Sequence, residues 1–361
     1  MPISEKAQRI TVAHDLTLVQ AMRRMDELDR KLLLVFKGSA FLGVLSVGDI
    51  QRAIIRNLPL DTPVADVMRA NMRMARDTDE REAVRQLMLD FRTECMPVVD
   101  EGGALVDVLF WEDEFPVTLH RDERMLDLPV VIMAGGLGSR LKPLTNIIPK
   151  PLVPIGEKPI IQLIIEGFRR LGVKEFHLTV NYKHEMIRYF FEHLEGRDYS
   201  VDYVLEDKPL GTAGSLQLLK DRLKGRFFVS NCDILVDQDH RAIHDYHLEN
   251  RNDITLVGVL KNYHIPYGTL ETGEGGELLG MREKPDLNFM INSGLYLLER
   301  HVIDEIPSGG HMDITTLIEK VRGKGGRVGV FPVSERSWFD IGEWNEYQTT
   351  LKEAGRRFDL G

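Results

Sequence analysis

From about residue 128 onward, apolar segments rich in Val and Ile alternate with segments that have a helical apolar pattern. In chain order these segments are VVIMA, PIIQLIIEGFRRLG, KEFHLTV, HEMIRYFFEHLEG, YSVDYVLED, TAGSLQLLKDRL and RFFVSNCDIL. Strands and helices that alternate in this way form a mostly parallel sheet with helices on both faces. In such sheets, ligands bind beyond the carboxyl ends of the strands. The sequence therefore predicts an α/β, Rossmann-like domain whose chemistry lies just after its strands.

The loop that follows the first of these strands, GGLGSRLKPLTNIIPKP, combines bare backbone with positive charge. It lacks the GxxxxGK[ST] pattern of a Walker A loop, and Leu141 and Pro143 interrupt the GxGxxG pattern of a dinucleotide-binding helix. Glycines let backbone N–H groups approach a phosphate closely, and Arg140, Lys142 and Lys150 supply cations for its outer oxygens. We therefore interpret the segment as a polyphosphate-binding loop.

Residues 1–120 have a different sequence pattern and contain a weak internal repeat. TVAHDLTLVQAMRRMDELDRKLLLVF leads to LGVLSVGDIQRAI in the first copy, and MARDTDEREAVRQLMLDFRTECMPVV leads to LVDVLFWEDE in the second. Each copy predicts an amphipathic helix, an apolar strand, a turn and a second strand. This order resembles a pair of cystathionine-β-synthase (CBS) domains. The resemblance implies a small α+β regulatory module over 1–120, a linker over 121–128 and a catalytic domain over 129–361.

The best match to the CBS family is GVLSVGD at 43–49. In that family a hydroxyl residue and an aspartate at this spacing can hold the ribose of an adenine nucleotide, and Ser46 and Asp49 occupy those places. The second copy has Phe110 where the hydroxyl would be. The alternative is a scaffold or dimerisation module in which Ser46 caps a helix and Asp49 lies in its first turn.

Length and composition exclude several classes of protein. A chain of 361 residues accommodates two domains, and its formal net charge of −10 argues against a nucleic-acid partner. The two cysteines, Cys95 and Cys232, lack metal-ligand spacing, which indicates a reducing compartment without disulfides or structural zinc. No apolar run approaches the roughly 20 residues that span a membrane, and the N-terminus lacks a signal-peptide core. We expect a cytoplasmic protein without a membrane partner.

The loop and five later segments together resemble the sugar-1-phosphate nucleotidyltransferases. The family signature GGxGxRLxPLTxxxPKP is met at every fixed position. The later matches, in the family's order, are PLGTAGSL at 209–216, NCDIL at 231–235, REKP at 282–285, INSGLY at 291–296 and WFDIGEW at 338–344. The resemblance covers about 129–350. It implies the nucleotide-diphospho-sugar transferase fold and a reaction in which an NTP and a sugar 1-phosphate give an NDP-sugar and pyrophosphate.

The resemblance also assigns roles to individual residues. Asp233 and Asp340 would hold Mg²⁺, which prefers one or two carboxylates plus substrate oxygens and water. Arg140 and Lys150 would bind the NTP phosphates, and Lys284 the phosphate of the sugar. The predicted nucleotide pocket comprises Ala134, Gly135, Gly136, Gly138, Glu206, Gly211 and Thr212. The predicted sugar pocket comprises Gly268, Glu283, Asn292 and Gly294. Thr212 could also cap the helix TAGSLQLL.

The form PLGTAG resembles mannose-1-phosphate guanylyltransferases and the CBS-bearing glucosamine-1-phosphate guanylyltransferases of legionaminic acid synthesis. This favours GTP, with a uridylyltransferase as the alternative, and a role in making precursors of cell-surface glycans or nonulosonic acids. A catalytically silent nucleotide sensor is the alternative of a different class. Expected partners are the NTP, the sugar 1-phosphate, a regulatory adenine nucleotide at the CBS pair, and further copies of the chain in a homo-oligomer.

Overall fold

The computed structural model describes residues 3–28, 30–69, 73–91, 93, 95–114 and 125–357. The chain divides into two compact units, Met1–Glu123 and Arg124–Gly361. Four residues of the predicted linker, 121–124, lie outside the described residues. In the described part of the chain, no helix is long and apolar enough to cross a bilayer.

The first unit contains two similar three-stranded sheets, one from each copy of the sequence repeat. In each sheet the first two strands are parallel and the last two are antiparallel. The strands are β1 Thr11–Ala13, β2 Leu32–Lys37, β3 Ala40–Ser46, β4 Ala75–Arg76, β5 Cys95–Val99 and β6 Leu105–Phe110. The helices are α1 Glu5–Arg9, α2 Leu18–Leu28, α3 Val47–Ile55, α4 Arg81–Phe91 and α5 Trp111–Glu114. The predicted order of helix, strand and strand is therefore present in both copies.

Ser46 and Asp49 form a capping box at the start of α3. The Ser46 hydroxyl accepts from the Asp49 N–H at 3.3 Å, and Asp49 Oδ2 accepts from the Ser46 N–H at 2.8 Å. Asp49 Oδ1 accepts from Arg52 and, at 2.9 Å, from Arg69. Burial opposes ionisation of Asp49, but these hydrogen bonds and cations hold its pKa below the usual range. This geometry gives the pair a structural role, and Phe110 of the second copy is buried. Ribose binding stays a prediction.

The second unit is built around a mixed seven-stranded sheet with the order β11-β10-β7-β12-β17-β14-β18. Its strands and those of the smaller sheets are β7 Val130–Ala134, β8 Pro154–Ile155, β9 Lys158–Pro159, β10 Glu175–Val180, β11 Ser200–Leu205, β12 Phe227–Asn231, β13 Ile234–Val236, β14 Ile254–His264, β15 Thr269–Thr272, β16 Leu278–Arg282, β17 Asp286–Leu298, β18 Val328–Ser334 and β19 Trp338–Asp340. The helices are α6 Leu144–Ile147, α7 Ile160–Arg169, α8 His184–Glu192, α9 Gly211–Gly214, α10 His240–Glu249, α11 Ile314–Gly323 and α12 Trp344–Arg357. Strand β17 runs antiparallel to both neighbours, and the other pairs in this sheet are parallel.

Both faces of this sheet are covered. Along β7, Val130 and Ile132 pack into one apolar cluster that includes α7, whereas Val131 and Met133 pack into another that includes α11. Because successive side chains of a strand point to opposite faces, a strand buried on both faces must be apolar throughout. The run VVIMA meets that demand, which explains why it contains no polar alternation. The predicted three-layer α/β architecture is therefore present.

The segment TAGSLQLLKDRL is less regular than the single helix predicted from its pattern. It forms the short α9 followed by a 3₁₀ helix over Ser215–Leu219. A long-range contact lies at the junction of the two, because a Cβ on Gly214 would stand only 2.8 Å from the carbonyl oxygen of Gly310. Local helix propensity does not reveal this close approach of two backbones.

Candidate active site

A cleft of about 300 Å³ opens at the carboxyl ends of β7, β10, β11 and β12. This is the edge of the sheet where the strand–helix alternation predicts a ligand. Eight of the predicted site residues line it, namely Gly135, Gly136, Gly138, Lys150, Glu206, Gly211, Thr212 and Asp233. Ala134 is buried at the end of β7 beside them.

The glycine-rich loop folds back on itself and so places Lys150 in the cleft. Gly138 has a φ of 63°, a left-handed conformation that glycine adopts without strain. A Cβ there would lie 2.8 Å from Thr145 Cγ2 and 3.1 Å from Lys150 Cβ. The Thr145 hydroxyl closes the loop by donating to the Gly138 carbonyl oxygen at 2.7 Å. Glycine at 138 is therefore needed for the approach of the segment that carries Lys150.

Pairing of β13 with β19 brings two carboxylates together. Ile234 lies opposite Asp340 in this antiparallel pair, and the Ile341 N–H donates to the Asp233 carbonyl oxygen at 2.9 Å. A Cβ on Gly342 would lie 2.9 Å from Asp340 Oδ1, 3.1 Å from Asp233 Oδ2 and 3.6 Å from Lys150 Nζ. These distances show that three charged groups surround one small space, which we call the carboxylate end of the cleft.

The charges at the carboxylate end influence one another. Burial raises the pKa of Asp340, which accepts from the Gly342 N–H at 2.6 Å. Burial would lower the pKa of Lys150, but Asp233 and its neighbours raise it, so Lys150 stays charged. Burial also raises the pKa of Cys232 to about 12. Cys232 is therefore a buried thiol and not a nucleophile.

The carboxylate end suits a hard divalent ion that shares its ligands with a substrate. Mg²⁺ is usually held by one or two carboxylates together with substrate oxygens and water. Asp233 and Asp340 supply two carboxylates, and the described residues contain no cluster of three or more His, Cys, Asp or Glu able to hold a metal ion. Two carboxylates match the number that Mg²⁺ usually takes from a protein when substrate oxygens and water complete its coordination.

Glu206 lines the cleft immediately after β11, the edge strand that lies three strands from β12 in the sheet order. Its Oε2 accepts from the Leu210 N–H at 3.1 Å, and its Oε1 would stand 2.7 Å from a Cβ on Gly135. The residue is only 7% exposed, and burial raises the pKa of its carboxyl group. Asn181 donates to the Glu206 carbonyl oxygen at 2.6 Å and so fixes the backbone at this point. Glu206 thus presents a hydrogen-bond acceptor beside bare backbone.

The wall next to Glu206 is formed by two segments about a hundred residues apart. The N–H groups of Ala213 and Gly214 donate to the Met312 carbonyl oxygen at 2.9 and 3.0 Å. Gly211 has a φ of 78°, and a Cβ on it would lie 2.6 Å from the same oxygen. We call segments 210–214 and 310–314, which these contacts join, the paired wall.

Thr212 does not cap its own helix, so the alternative role predicted for it is wrong. Its hydroxyl accepts from the Ile314 N–H at 2.9 Å, and Ile314 is the first residue of α11. The first N–H groups of a helix lack intrahelical partners, and the N-cap residue Asp313 makes no capping bond with its side chain. Thr212 therefore supplies the missing acceptor across the paired wall.

Arg140 lies near the carboxylate end but does not line the cleft. Its side chain is 74% exposed and its guanidinium is 3.5 Å from Glu343, three residues after Asp340. Solvent screening makes such an exposed ion pair weak, so Arg140 can exchange Glu343 for another anion. The predicted role of Arg140 at the phosphates is compatible with this position.

The predicted sugar-binding residues fall into two groups. Gly268 and Glu283 are neighbours, since a Cβ on Gly268 would lie 3.0 Å from Glu283 Oε2, and Lys284 beside them is exposed. Asn292, in contrast, is bonded within its own strand, because it donates to the Tyr296 hydroxyl at 2.7 Å and accepts from the Gly294 N–H at 3.1 Å.

Five polar residues that the sequence analysis did not assign also line the cleft: Thr179, Ser215, Asn231, His311 and Asp313. Thr179 and Asn231 lie near the carboxyl ends of strands that were predicted, so their positions could have been inferred from the same strand-end rule. His311 and Asp313 follow no predicted strand of the sheet. They reach the cleft only because the paired wall brings them there.

The mixed sheet and its carboxyl-edge cleft define the class of α/β proteins that bind ligands at a sheet edge. Residues 129–356 match the family described as Nucleotidyl transferase, and the chain belongs to that family.

Similar proteins include guanylyltransferases. A mannose-1-phosphate guanyltransferase of Yarrowia lipolytica is 34% identical over 183 residues, which cover 49% of this chain and 50% of the relative. A D-glycero-α-D-manno-heptose 1-phosphate guanylyltransferase of Campylobacter jejuni is 32% identical over 179 residues, which cover 49% of this chain and 79% of the relative. The crystal structure of HddC from Yersinia pseudotuberculosis complexed with GMP-PN superimposes with a TM-score of 0.50 at 26% identity, covering 63% of this chain and 99% of that one. The chain therefore spans about half the length of the Yarrowia relative.

Proposed function

We propose that this protein transfers a guanylyl group from GTP to a sugar 1-phosphate, giving a GDP-sugar and pyrophosphate. One observation carries the proposal: the buried acceptor Glu206 follows the edge strand β11, whereas Asp233 lines the same cleft with Lys150 after β12, three strands further along the sheet, and Asp340 lies beside Asp233. A nucleoside triphosphate has the matching polarity, with a hydrogen-bonding base at one end and a polyanion at the other. Family membership and the guanylyltransferases among its relatives support the same activity.

Glu206 favours guanine among the common bases. An ionised carboxylate only accepts hydrogen bonds, and guanine offers two adjacent donors, its N1–H and its 2-amino group. Uracil offers one N–H between two carbonyl oxygens, which the carboxylate repels. Adenine pairs its amino donor with a ring nitrogen acceptor. A uridylyltransferase remains the alternative, and the structure of a relative with GMP-PN supports the guanine assignment.

The reaction joins two polyanions, so neutralisation and positioning of charge make up most of the catalysis. An oxygen of the sugar phosphate attacks the α-phosphorus, the bond from that phosphorus to the α,β-bridging oxygen breaks, and pyrophosphate leaves. In this proposal Lys150 neutralises charge at the α-phosphate, Arg140 binds outer phosphate oxygens through its guanidinium, and Lys284 binds the phosphate of the sugar.

Asp233 and Asp340 would hold Mg²⁺, because their carboxylate oxygens come together beside Gly342 and are the hard ligands that this ion prefers. Bound there, the ion supplies positive charge to the phosphate oxygens. The sugar hydroxyls would meet Glu283 beside Gly268. Asn292 and Gly294 belong to the same proposed pocket, and the Asn292 amide keeps a second N–H donor beside the one that it gives to Tyr296.

We also propose that 129–361 is the catalytic domain and that 1–120 is a regulatory CBS pair. The repeated sheet topology of the first unit and the start of the family match at residue 129 support this division. An adenine nucleotide at Ser46 and Asp49 would have to displace Arg52 and Arg69 from Asp49. We propose, finally, that the protein forms a homo-oligomer and is located in the cytoplasm.

Release of pyrophosphate tests the activity directly. Purified protein is incubated with Mg²⁺, one of GTP, UTP, dTTP or ATP, and each of a panel of sugar 1-phosphates. We expect turnover with GTP and at least one sugar 1-phosphate. A clear preference for UTP would overturn the guanine assignment, and nucleotide binding without turnover on any pair would favour the sensor.

A further inference from the structure

Lys150 and Asp233 form a direct ion pair at the carboxylate end of the cleft. Lys150 Nζ donates to Asp233 Oδ2, and both side chains are only 16% exposed. We propose that Lys150 acts as a resident counter-ion that keeps a divalent ion off Asp233 until a nucleotide arrives, so that metal and nucleotide enter the site together. The inference rests on the proposed function, because it takes Asp233 and Asp340 as the metal-binding carboxylates.

The geometry makes the lysine and the metal compete for one place. The Asp233 oxygen that accepts from Lys150 is the same Oδ2 that faces Asp340 across Gly342. A divalent ion that used this oxygen as a ligand would compete with Lys150 for it. Binding of the ion at Asp233 Oδ2 would therefore displace the lysine ammonium.

The balance of charge points in the same direction. With Lys150 in place, one cation faces two carboxylates. Addition of a divalent ion next to Lys150 brings two cations together in a partly buried space, where solvent screens their repulsion weakly. A triphosphate removes this penalty, because its oxygens offer Lys150 a new partner and complete the coordination of the ion.

The protein offers few alternative ligands to hold an ion without the nucleotide. In the part of the chain that the structure describes, no third His, Cys, Asp or Glu joins the two aspartates in a cluster able to hold a metal. The free enzyme should therefore bind divalent ions weakly for two reasons, the small number of protein ligands and the presence of Lys150. Removal of Lys150 relieves the second reason only.

Titration with Mn²⁺ alone separates these effects, since it needs no turnover. Binding is followed by the electron paramagnetic resonance signal of free Mn²⁺ in the absence of nucleotide. We expect Lys150→Met to bind Mn²⁺ roughly tenfold or more tightly than the wild type, because a competing cation is gone. Lys150→Arg, which keeps the charge, should remain as weak as the wild type.

Lys142→Met is the matched control, because Lys142 belongs to the same loop, is exposed and carries the same charge. Its affinity for Mn²⁺ should stay within about twofold of the wild type, since a solvated charge is well screened. Lys150→Gln repeats the test if the methionine variant fails to fold, and far-ultraviolet circular dichroism checks both. Equal Mn²⁺ affinity of the wild type and the neutral Lys150 variants would overturn the inference.

Asp233→Asn distinguishes failure of the inference from failure of the metal assignment. If this substitution abolishes the tight Mn²⁺ site of Lys150→Met, then Asp233 is a ligand and Lys150 its competitor. If it leaves Mn²⁺ binding unchanged, the ion binds elsewhere. That outcome would overturn both the inference and the assignment of Asp233 in the proposed function.

Discussion

Glu206→Gln should exchange the base preference of the enzyme. Glutamine has nearly the same shape and keeps one oxygen, which can still accept from the Leu210 N–H that now binds Oε2. The other carboxylate oxygen, beside Gly135, becomes an amino group that donates. That group opposes a guanine donor but complements a uracil carbonyl oxygen. We therefore expect kcat/KM to fall for GTP and to rise for UTP.

The size of the effect follows from the hydrogen bonds exchanged. A hydrogen bond to a charged group is worth about 1.5–3 kcal/mol. In the variant, one of the two hydrogen bonds from guanine is lost, and the glutamine amino group faces a guanine donor in its place. A loss of about 3 kcal/mol corresponds to a decrease in kcat/KM for GTP on the order of 100-fold. The fold should not suffer, because burial already disfavours the charge on Glu206.

The assay compares pyrophosphate release from GTP and UTP with the same sugar 1-phosphate. Asp207→Asn is the matched control, since it removes the same charge one residue further on from an exposed side chain. It should leave the ratio of the two kcat/KM values nearly unchanged. If Glu206→Gln keeps the wild-type ratio, Glu206 does not read the base and the reasoning from its acceptor atoms is wrong.

Three further predictions concern the same regions. The ratio of kcat/KM for GTP to kcat/KM for UTP should fall as the pH is lowered through the raised pKa of Glu206, because protonation removes an acceptor that guanine needs. The Glu206→Gln variant should show no such pH dependence. Gly211→Ala should lower the free energy of unfolding in urea by about 2 kcal/mol or more, because it combines a left-handed φ with a backbone clash, whereas Gly225→Ala, with open space at its Cβ, should not. Asp49→Ala should lower the free energy of unfolding by about 1 kcal/mol or more through loss of the capping box. If AMP raises the melting temperature of the wild type but not of this variant, the result would support ribose binding.

The strand-end rule located much of the candidate site from sequence. Asp233 follows an apolar strand and Lys150 follows a glycine-rich loop, and both lie in the cleft at the predicted edge of the sheet. These positions are local consequences of the chain, since the end of a parallel strand always faces the same edge. The alternation of strands and helices likewise predicted a sheet with helices on both faces, because it too is a local property of the sequence.

Other features depend on contacts between distant residues and left no local signal. Asp340 reaches Asp233 only because β19 pairs with β13 in one antiparallel register. Burial raises the pKa of the Glu206 carboxyl group, and Glu206 packs against Gly135, about 70 positions earlier in the chain. From the sequence Thr212 was a candidate cap for its own helix, and only the tertiary structure places the Ile314 N–H within its reach.

The paired wall limits how base preference can be transplanted between relatives. A chimera that replaces 210–214 alone would set a foreign loop against the native Met312 carbonyl oxygen and the native start of α11. The two stretches lie about a hundred positions apart, so a single crossover between them would separate partners that are bonded in the folded chain. Recombinants that inherit both stretches from one parent should fold and bind nucleotide more often than those that mix them.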